Sequence, residues 1–241
     1  MLSQKEKQLL KTYCSNFPEL KTVIEHLETQ HRMEISSISH EIRNPVTLLN
    51  SYLQLTQSHH PEVTTFSTWK PLIENMAYLR SLLDELSMYN NANILHKSNF
   101  SLCELLSIIK SDYQNSYPDV HIILNIITPI PDGLFDQLKL KSAFSNIVRN
   151  AIEAPEGPHP KEITITLEYK EHFIITIANN GLPIPEKYIP SLFEPFITHK
   201  KNGTGLGLAI VKNIITAHNG TLEVTSTDSL TSFYIHLPLC K

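Results

Sequence analysis

The sequence predicts a chain of two parts, a helical hairpin followed by an α/β sandwich with helices on one face of a sheet. The hairpin is predicted by apolar residues that recur at steps of three and four through the first ~95 residues. The sandwich is predicted by short β-like runs that alternate with helical patterns in the rest of the chain. The fold class is therefore α plus α/β, and we expect divisions into residues 1–33, 34–95 and 96–241.

Three helical patterns make up the N-terminal part. The first covers residues 9–17 and ends near Pro18, because a proline disfavours helix in the residue that precedes it. The second continues to a break at His59-His60-Pro61, and the third carries an apolar seam typical of a bundle or coiled coil. That seam consists of Trp69, Leu72, Met76, Leu79, Leu83 and Leu86. Since two antiparallel helices cannot bury two apolar stripes alone, we expect a four-helix bundle in a homodimer.

Five strands and three helices are predicted in the C-terminal part. The strands are expected at Val120–Ile127, Glu162–Tyr169, Phe173–Ala178, Gly220–Ser226 and Ser232–Leu237. The helices are expected at Leu102–Tyr113, Leu134–Ala154 and Leu206–Ala217.

Composition and charge narrow the class of protein. Hydrophobic residues make up 41% of the chain and charged residues 18%, which is typical of a globular protein. The 20 basic and 24 acidic residues give a net charge of -4, too mild to favour a nucleic-acid partner. No apolar run approaches the ~20 residues of a membrane span, and three scattered cysteines form no metal or disulfide pattern. We therefore expect a cytoplasmic protein without direct membrane insertion.

A glycine-rich turn is the strongest functional signal. Four of the seven glycines lie between positions 181 and 207, and three of them belong to Gly203-Thr-Gly-Leu-Gly207, which leads into an apolar helix. Glycine lets backbone N–H groups approach a ligand closely, and a helix start presents partial positive charge. The turn therefore predicts a phosphate site.

A second signal lies far upstream, in the predicted helix around His40. Asn44 follows His40 by four residues, so both side chains project from one helix face. The neighbouring Glu41 would orient the imidazole and make its other nitrogen a better nucleophile. Pro45 would interrupt the helical hydrogen bonds beside it. A phosphate site with a separate activated histidine suggests phosphoryl transfer to His40, although an ordinary solvated histidine is the alternative.

Two further segments carry polar residues of the right kind. Asn146 and Asn150 share a face of the predicted 134–154 helix, and their amide oxygens suit a Mg²⁺ ion that keeps several waters. Arg149 would reach phosphate, although a polar surface face is the alternative for this helix. Asn179 and Gly181 end an apolar strand and begin a turn.

These segments resemble the sequence boxes of a bacterial two-component sensor histidine kinase, in order and in spacing. His40–Pro45 resembles the phosphoacceptor box, Asn146–Ala154 the N box, and Asn179–Ile184 the first glycine box. Phe193–Phe196 resembles the F box, and Gly203–Gly207 the second glycine box. The family implies a dimerisation and phosphotransfer hairpin followed by an ATP-binding domain of the GHKL type.

The resemblance also implies cofactors, partners and site residues. ATP and Mg²⁺ would be bound, His40 would be phosphorylated with Glu41 as base, and Asn44 matches a position that in relatives orients phosphate or a hydrolytic water. Residues 197–202 would form a short lid over the phosphates. The phosphoryl group would pass to an aspartate of a response-regulator receiver domain, with phosphatase activity as a second function. The implied nucleotide ligands are Asn146, Arg149, Asn150 (also the metal ligand), Asn179, Gly181, Gly203, Thr204, Gly205, Leu206 and Gly207.

Two features depart from the family pattern. The family has Asp where this chain has Asn179, and that acid reads the adenine amino group; Asn keeps one acceptor oxygen, so binding is altered rather than lost. No sensor is recognisable before the hairpin, so the input is expected from a separate sensor protein, from residues 1–33, or from a part beyond this sequence.

Two alternatives stand beside the kinase. One is a dimeric, non-catalytic phosphotransfer or binding module with a weakened nucleotide site. The other is an ATP-hydrolysing enzyme of the gyrase or mismatch-repair type. Those enzymes carry Glu where Asn146 stands, and an amide cannot act as a general base.

Overall fold

The computed structural model describes Leu9, Tyr13 and residues 17–155, 157, 159–200 and 203–239. It forms two compact units, residues 1–90 and 91–241. The first is a helical hairpin and the second an α/β sandwich, which confirms the predicted fold class. The division falls after Asn90, whereas the sequence places it at 95/96. The reason lies in the second unit, where the Asn91 carbonyl accepts a hydrogen bond from Lys139 Nζ and Ala92 is buried.

Two long helices form the first unit. Helix α1 spans Pro18–His59, a 3-10 turn spans Pro61–Thr65, and helix α2 spans Trp69–Asn90. The predicted break at residues 59–61 is thus present, and α1 continues through position 33 without interruption. The predicted short helix over residues 9–17 lies largely outside the described residues.

Helix α1 meets α2 through the face that carries Arg43. Arg43 donates a 2.5 Å hydrogen bond to the Asp84 carboxylate and a second to the Leu83 carbonyl, both on α2. Val46, one turn further along α1, is buried. Ile38 and Ile42 lie on another face of α1 and are 55% and 44% exposed in the single chain. Helix α1 therefore has a second apolar face that α2 does not cover.

Eleven elements follow in the second unit, as described from residue 91 onward. They are β1 (Ser98–Phe100), α3 (Leu102–Ser116), β2 (His121–Ile126), β3 (Gly133–Phe135), α4 (Gln137–Glu153), β4 (Glu162–Tyr169), β5 (His172–Asn179), a 3-10 turn (Glu186–Ser191), α5 (Gly207–Ala217), β6 (Thr221–Ser226) and β7 (Thr231–Pro238). Five strands form one sheet in the order β2-β4-β5-β7-β6, with β2 parallel to β4 and the other pairs antiparallel. Strands β1 and β3 form a separate antiparallel pair.

One face of the five-stranded sheet is packed against the three helices. Burial alternates along the central strands, as expected where one face meets a core and the other meets water. The buried strand residues include Ile163, Ile165, Leu167, Phe173, Ile175, Phe233 and Ile235. The helices contribute Leu106, Ile109, Phe144, Ile147, Ile210 and Ile214. The core thus lies between this face and the helices, and polar residues at its edge become candidates for a binding site.

The start of α4 corrects the sequence-based prediction. The helix was expected from Leu134, but residues 133–135 form β3 and pair with β1. Asp136 ends the strand and caps the helix, because its Oδ1 accepts a hydrogen bond from the Lys139 N–H at 3.0 Å.

Asp136 is also joined to the end of α5. Its backbone N–H donates to Nε2 of His218 at 3.0 Å, and Nδ1 of His218 lies 2.8 Å from the Ile214 carbonyl. The second carboxylate oxygen of Asp136 accepts from the His96 N–H at 2.8 Å. His218 is fully buried and neutral in this arrangement, with Nδ1 carrying the proton. Burial lowers the pKa of His218, against the opposing effect of the Ile214 hydrogen bond.

His218 should make the second unit sensitive to acid. The pKa of His218 is lowered on folding, so the unfolded chain binds the proton more readily than the folded unit does. The contribution of His218 to the free energy of unfolding is therefore full above pH 6.5, the ordinary pKa of histidine, and is lost as the pH falls below that value. Urea unfolding at about pH 7.5 and about pH 5.5 should show this loss, and His218→Gln should reduce it because Gln does not titrate. Equal losses in both proteins would contradict the prediction.

Candidate nucleotide-binding site

The middle of α4 meets the start of α5, and this contact brings three predicted site residues together. Asn146 is buried on α4, and its Oδ1 accepts a hydrogen bond from Arg149 Nη2 at 2.6 Å. A methyl group on Gly207, the first residue of α5, would lie 3.5 Å from that same oxygen and 4.0 Å from Arg149 Nη2. The absence of a side chain at Gly207 therefore leaves the Asn146 amide and the Arg149 guanidinium beside the helix start.

The glycine turn before α5 leaves its first backbone N–H groups without a side-chain cap. Leu206 occupies the N-cap position and makes no capping hydrogen bond from its side chain. Its own N–H donates to Thr204 Oγ1 at 3.2 Å, which holds the turn. The N–H groups at the start of a helix have no partner within the helix and carry partial positive charge, so this end suits phosphate.

Gly205 is required by the backbone of the turn. Its φ of +70° lies in the left-handed region, and a Cβ there would approach Ile197 N and the Phe196 carbonyl carbon to 2.6 Å. The Phe196 N–H donates to the Gly205 carbonyl at 3.0 Å, which joins the two ends of the preceding segment. Any side chain at this position would displace that segment.

Asn150, the predicted metal ligand, already has a positive partner. Lys200 Nζ lies 2.8 Å from Asn150 Oδ1 and 2.6 Å from the carboxylate of Glu153. Sequence reasoning missed Lys200 and Glu153 as site residues, although Lys200 stands close to the glycine turn. Among the described residues no cluster of three or more His, Cys, Asp or Glu side chains could hold a metal alone. A Mg²⁺ ion would have to bring other oxygen ligands with it, as it does when bound to phosphates.

The other end of the site lies where β5 ends. Asn179 and Thr231 are directly opposite each other on β5 and β7, and both are only 4% exposed. The side-chain nitrogen of Asn179 is buried without a hydrogen-bond partner. A methyl group on Gly181 would lie 2.9 Å from this nitrogen and 2.9 Å from the Pro155 carbonyl oxygen. Sequence reasoning missed Thr231, because only the register between β5 and β7 brings it opposite Asn179, and no local sequence pattern reveals that register.

Helix α4 connects the two ends. Asn146 lies beside Gly207, whereas Ala154, the C-cap of α4, lies beside Gly181. Eight residues of helix correspond to about 12 Å, so a ligand that reaches both ends must be elongated. A glycine turn suited to phosphates at one end and an unsatisfied buried amide at the other fit a nucleotide.

The predicted phosphoacceptor lies in the other unit. His40, Glu41 and Asn44 are all exposed on α1, with His40 and Asn44 one helical turn apart. No hydrogen bond joins His40 to Glu41 in the described part of the chain. Adjacent residues on a helix do not face each other, so the carboxylate does not orient the imidazole in this structure. Pro45 lies within α1, which remains continuous.

Comparison with known proteins agrees with the geometry of the second unit. Residues 135–241 match the family model described as "Histidine kinase-, DNA gyrase B-, and HSP90-like ATPase". The chain is 30% identical over 237 residues to the sensory histidine kinase/phosphatase NtrB of Salmonella typhimurium, an alignment that covers 89% of this chain. It covers 66% of that relative, so the chain spans just under two thirds of the length of this curated relative.

Solved structures share the fold. Full-length ShkA in complex with AMPPNP superposes with a TM-score of 0.75 at 20% identity, covering 87% of this chain and 46% of ShkA. The histidine kinase ThkA in complex with the response regulator TrrA has a TM-score of 0.64 at 24% identity, covering 92% of this chain and 67% of ThkA.

No described helix is long and apolar enough to cross a membrane.

The two glycines of the turn should differ in their tolerance of a side chain. Gly205→Ala should destabilise the second unit, because the left-handed conformation costs an L-residue about 1–2 kcal/mol and the added Cβ meets backbone atoms. Gly207→Ala is the matched control; its Cβ makes only ordinary contacts, and Ala is the better helix former by up to about 1 kcal/mol. Denaturant unfolding of both variants checks this, and equal stabilities would contradict it.

Proposed function

Because the chain belongs to the sensor histidine kinase family, we propose that it is an ATP-dependent protein-histidine kinase. It phosphorylates itself on His40 and passes the phosphoryl group to an aspartate of a response-regulator receiver domain. The observation that carries the proposal is the meeting of Asn146, Arg149 and Gly207 at the uncapped start of α5. These three residues form a phosphate site. The same unit contains the buried Asn179 amide, whose nitrogen lacks a hydrogen-bond partner and which suits a nucleotide base.

Residues along α4 and the glycine turn hold the nucleotide. The N–H groups at the start of α5 and the Arg149 guanidinium bind its phosphates, and Gly181 leaves room beside Asn179 for the base. ATP would supply the phosphoryl group, and a bound Mg²⁺ would offset the charge of its phosphates, with Asn150 as one ligand. Lys200 Nζ lies 2.8 Å from Asn150 Oδ1, so this contact would have to open for Asn150 to hold a metal.

The segment that carries Lys200 acts as a lid over the phosphates. Its predicted range is Ile197–Asn202, of which Lys201 and Asn202 lie outside the described residues. A lysine released from Asn150 and Glu153 would remain close enough to contact phosphate, which adds charge stabilisation where phosphoryl transfer needs it.

His40 accepts the phosphoryl group on a ring nitrogen. The side chain is exposed, so a phosphate donor can reach it. Glu41 takes up the imidazole proton in this proposal, and Asn44 orients phosphate or, in the phosphatase reaction, a water molecule. The phosphatase assignment is supported by the relative NtrB, which is named both a kinase and a phosphatase.

The protein acts as a homodimer. Ile38, Ile42, Leu49 and Tyr52 are 44–56% exposed and form one apolar face of α1, separate from the face with Arg43 and Val46. Covering such a face with the same face of a second chain would complete a four-helix bundle. His40 and Asn44 project from a third side of the helix, so dimerisation leaves them accessible.

Partners and location follow from the chemistry. A response-regulator receiver domain is the acceptor, as ThkA was solved in complex with a response regulator. A separate sensor protein, or a part beyond this sequence, supplies the input. We expect the protein to act in the cytoplasm, where the ATP that the proposed reaction needs is available, and we expect no nucleic-acid partner.

Replacing His40 should abolish self-labelling. His40→Gln keeps a polar side chain but cannot form a phosphohistidine, so incubation with γ-labelled ATP should give no acid-labile product, while ATP affinity stays nearly unchanged. His26→Gln is the matched control, since His26 is also exposed on α1. Full labelling of the His40 variant would place the acceptor elsewhere, and wild-type protein that binds ATP without labelling would favour the non-catalytic alternative.

Charges on the uncovered face of α1 should break the dimer. Ile38→Glu together with Leu49→Glu would bury two charges at the subunit interface, at a cost of several kcal/mol, without disturbing the contact with α2. Sedimentation should report a monomer. Thr47→Glu with Gln54→Glu adds the same charge to exposed positions on another side of α1 and should leave the dimer intact. A dimer that survives the first pair would place the interface elsewhere.

A further inference from the structure

Two buried polar side chains form the base-reading end of the site. Asn179 and Thr231 are directly opposite each other on β5 and β7, at the end of the inward face of the sheet. Both are 4% exposed, so little water competes with a ligand for their hydrogen-bonding groups. Their hydrogen-bonding groups therefore decide which base edge is accepted.

No hydrogen bond from the described residues holds the Asn179 amide by its side-chain nitrogen, which is buried without a partner. The neighbouring Asn180 shows what a locked amide looks like. There the oxygen accepts from the Glu162 N–H at 2.9 Å and the nitrogen donates to the Pro160 carbonyl at 2.8 Å. An amide without such contacts can turn over and present either its oxygen or its NH₂ group to a ligand.

The Thr231 hydroxyl is equally reversible. Thr231 Oγ1 lies 2.7 Å from Ser226 Oγ, and either hydroxyl can be the donor. Ser226 Oγ also accepts from the Ile184 N–H at 2.8 Å, which leaves its own proton free to point toward Thr231 or away. Thr231 can therefore offer a ligand a proton or a lone pair.

We propose that the nucleotide site accepts 6-oxopurine nucleotides, such as ITP and GTP, as well as ATP. Adenine presents an amino donor beside a ring-nitrogen acceptor, whereas hypoxanthine and guanine present a carbonyl acceptor beside an N–H donor. An Asp at position 179 would present only acceptors and repel the carbonyl. Asn179 in its two orientations, with the reversible Thr231 hydroxyl beside it, matches both patterns. The inference rests on the proposed nucleotide-binding function.

Competition against a fluorescent ATP analogue tests the inference by binding alone. ATP, GTP and ITP are titrated into the full chain, its Asn179→Asp variant and the Asn180→Asp control. ITP carries the 6-oxo group without the 2-amino group of guanine, so it isolates the effect of the reading edge. We expect ITP to bind the wild-type protein within about tenfold of ATP, and Asn179→Asp to weaken ITP by about tenfold or more relative to ATP. Asn180→Asp should leave the ratio unchanged, because that side chain is held within the protein.

The possible outcomes distinguish failure of nucleotide binding itself from failure of 6-oxopurine acceptance. If the analogue does not bind and no nucleotide competes, the nucleotide site itself is wrong and the inference falls with it. If ATP competes but the wild-type protein rejects ITP as strongly as the Asp variant does, nucleotide binding stands and the inference is overturned. The wild-type ratio of ITP to ATP affinity decides the question even if the variant fails to fold, since rejection of ITP by about a hundredfold or more would contradict free turning of the amide.

Discussion

The hydrogen bonds that meet at Asp136 hold α4 against α5, and the candidate site depends on that pairing. The carboxylate caps α4 and holds the His96 N–H, while the Asp136 N–H is received by His218 at the end of α5. Each carboxylate oxygen and each ring nitrogen has a partner, which is the condition under which a buried polar network stabilises a fold. A nearly equal number of residues separates Asp136 from Asn146 and His218 from Gly207. The antiparallel helices thus bring Asn146 to the start of α5.

The elements of the fold could be predicted from the sequence wherever the signal was local. Strand β4 begins and ends at the predicted residues, because its alternation of apolar and polar side chains is complete within the strand. Strand β3 could not be predicted, since Leu134 and Phe135 continue the apolar spacing of α4. The available signal was Asp136, a preferred N-cap residue, which marks the true start of the helix. The pairing of β3 with β1 spans too much sequence for a local pattern to contain it.

The residues of the candidate site likewise fall into those that local sequence patterns predict and those that only the folded structure brings together. Asn146, Arg149 and Gly207 could be predicted because they lie in short motifs, and the structure brings them together. The place of Thr231 depends on the register between β5 and β7, which side-chain patterns alone do not specify. The contact of Lys200 with Asn150 joins residues fifty positions apart on different elements. The sequence placed Lys200 only within the expected lid, and the folded chain shows that its ammonium group contacts the oxygen expected to bind metal.

The hydrogen bond between Phe196 and Gly205 has a consequence for how this part of the chain can vary. It joins the two ends of the stretch from Ile197 to Thr204, and both flanking residues adopt left-handed backbone conformations. The chain therefore enters and leaves the stretch at one point, and that point, rather than the number of residues between, sets the start of α5. Closing a longer loop costs little, about 0.6 kcal/mol for each doubling of its length. Insertions can accumulate here among related sequences, or a reporter peptide can be placed here by design, while the sandwich keeps its geometry.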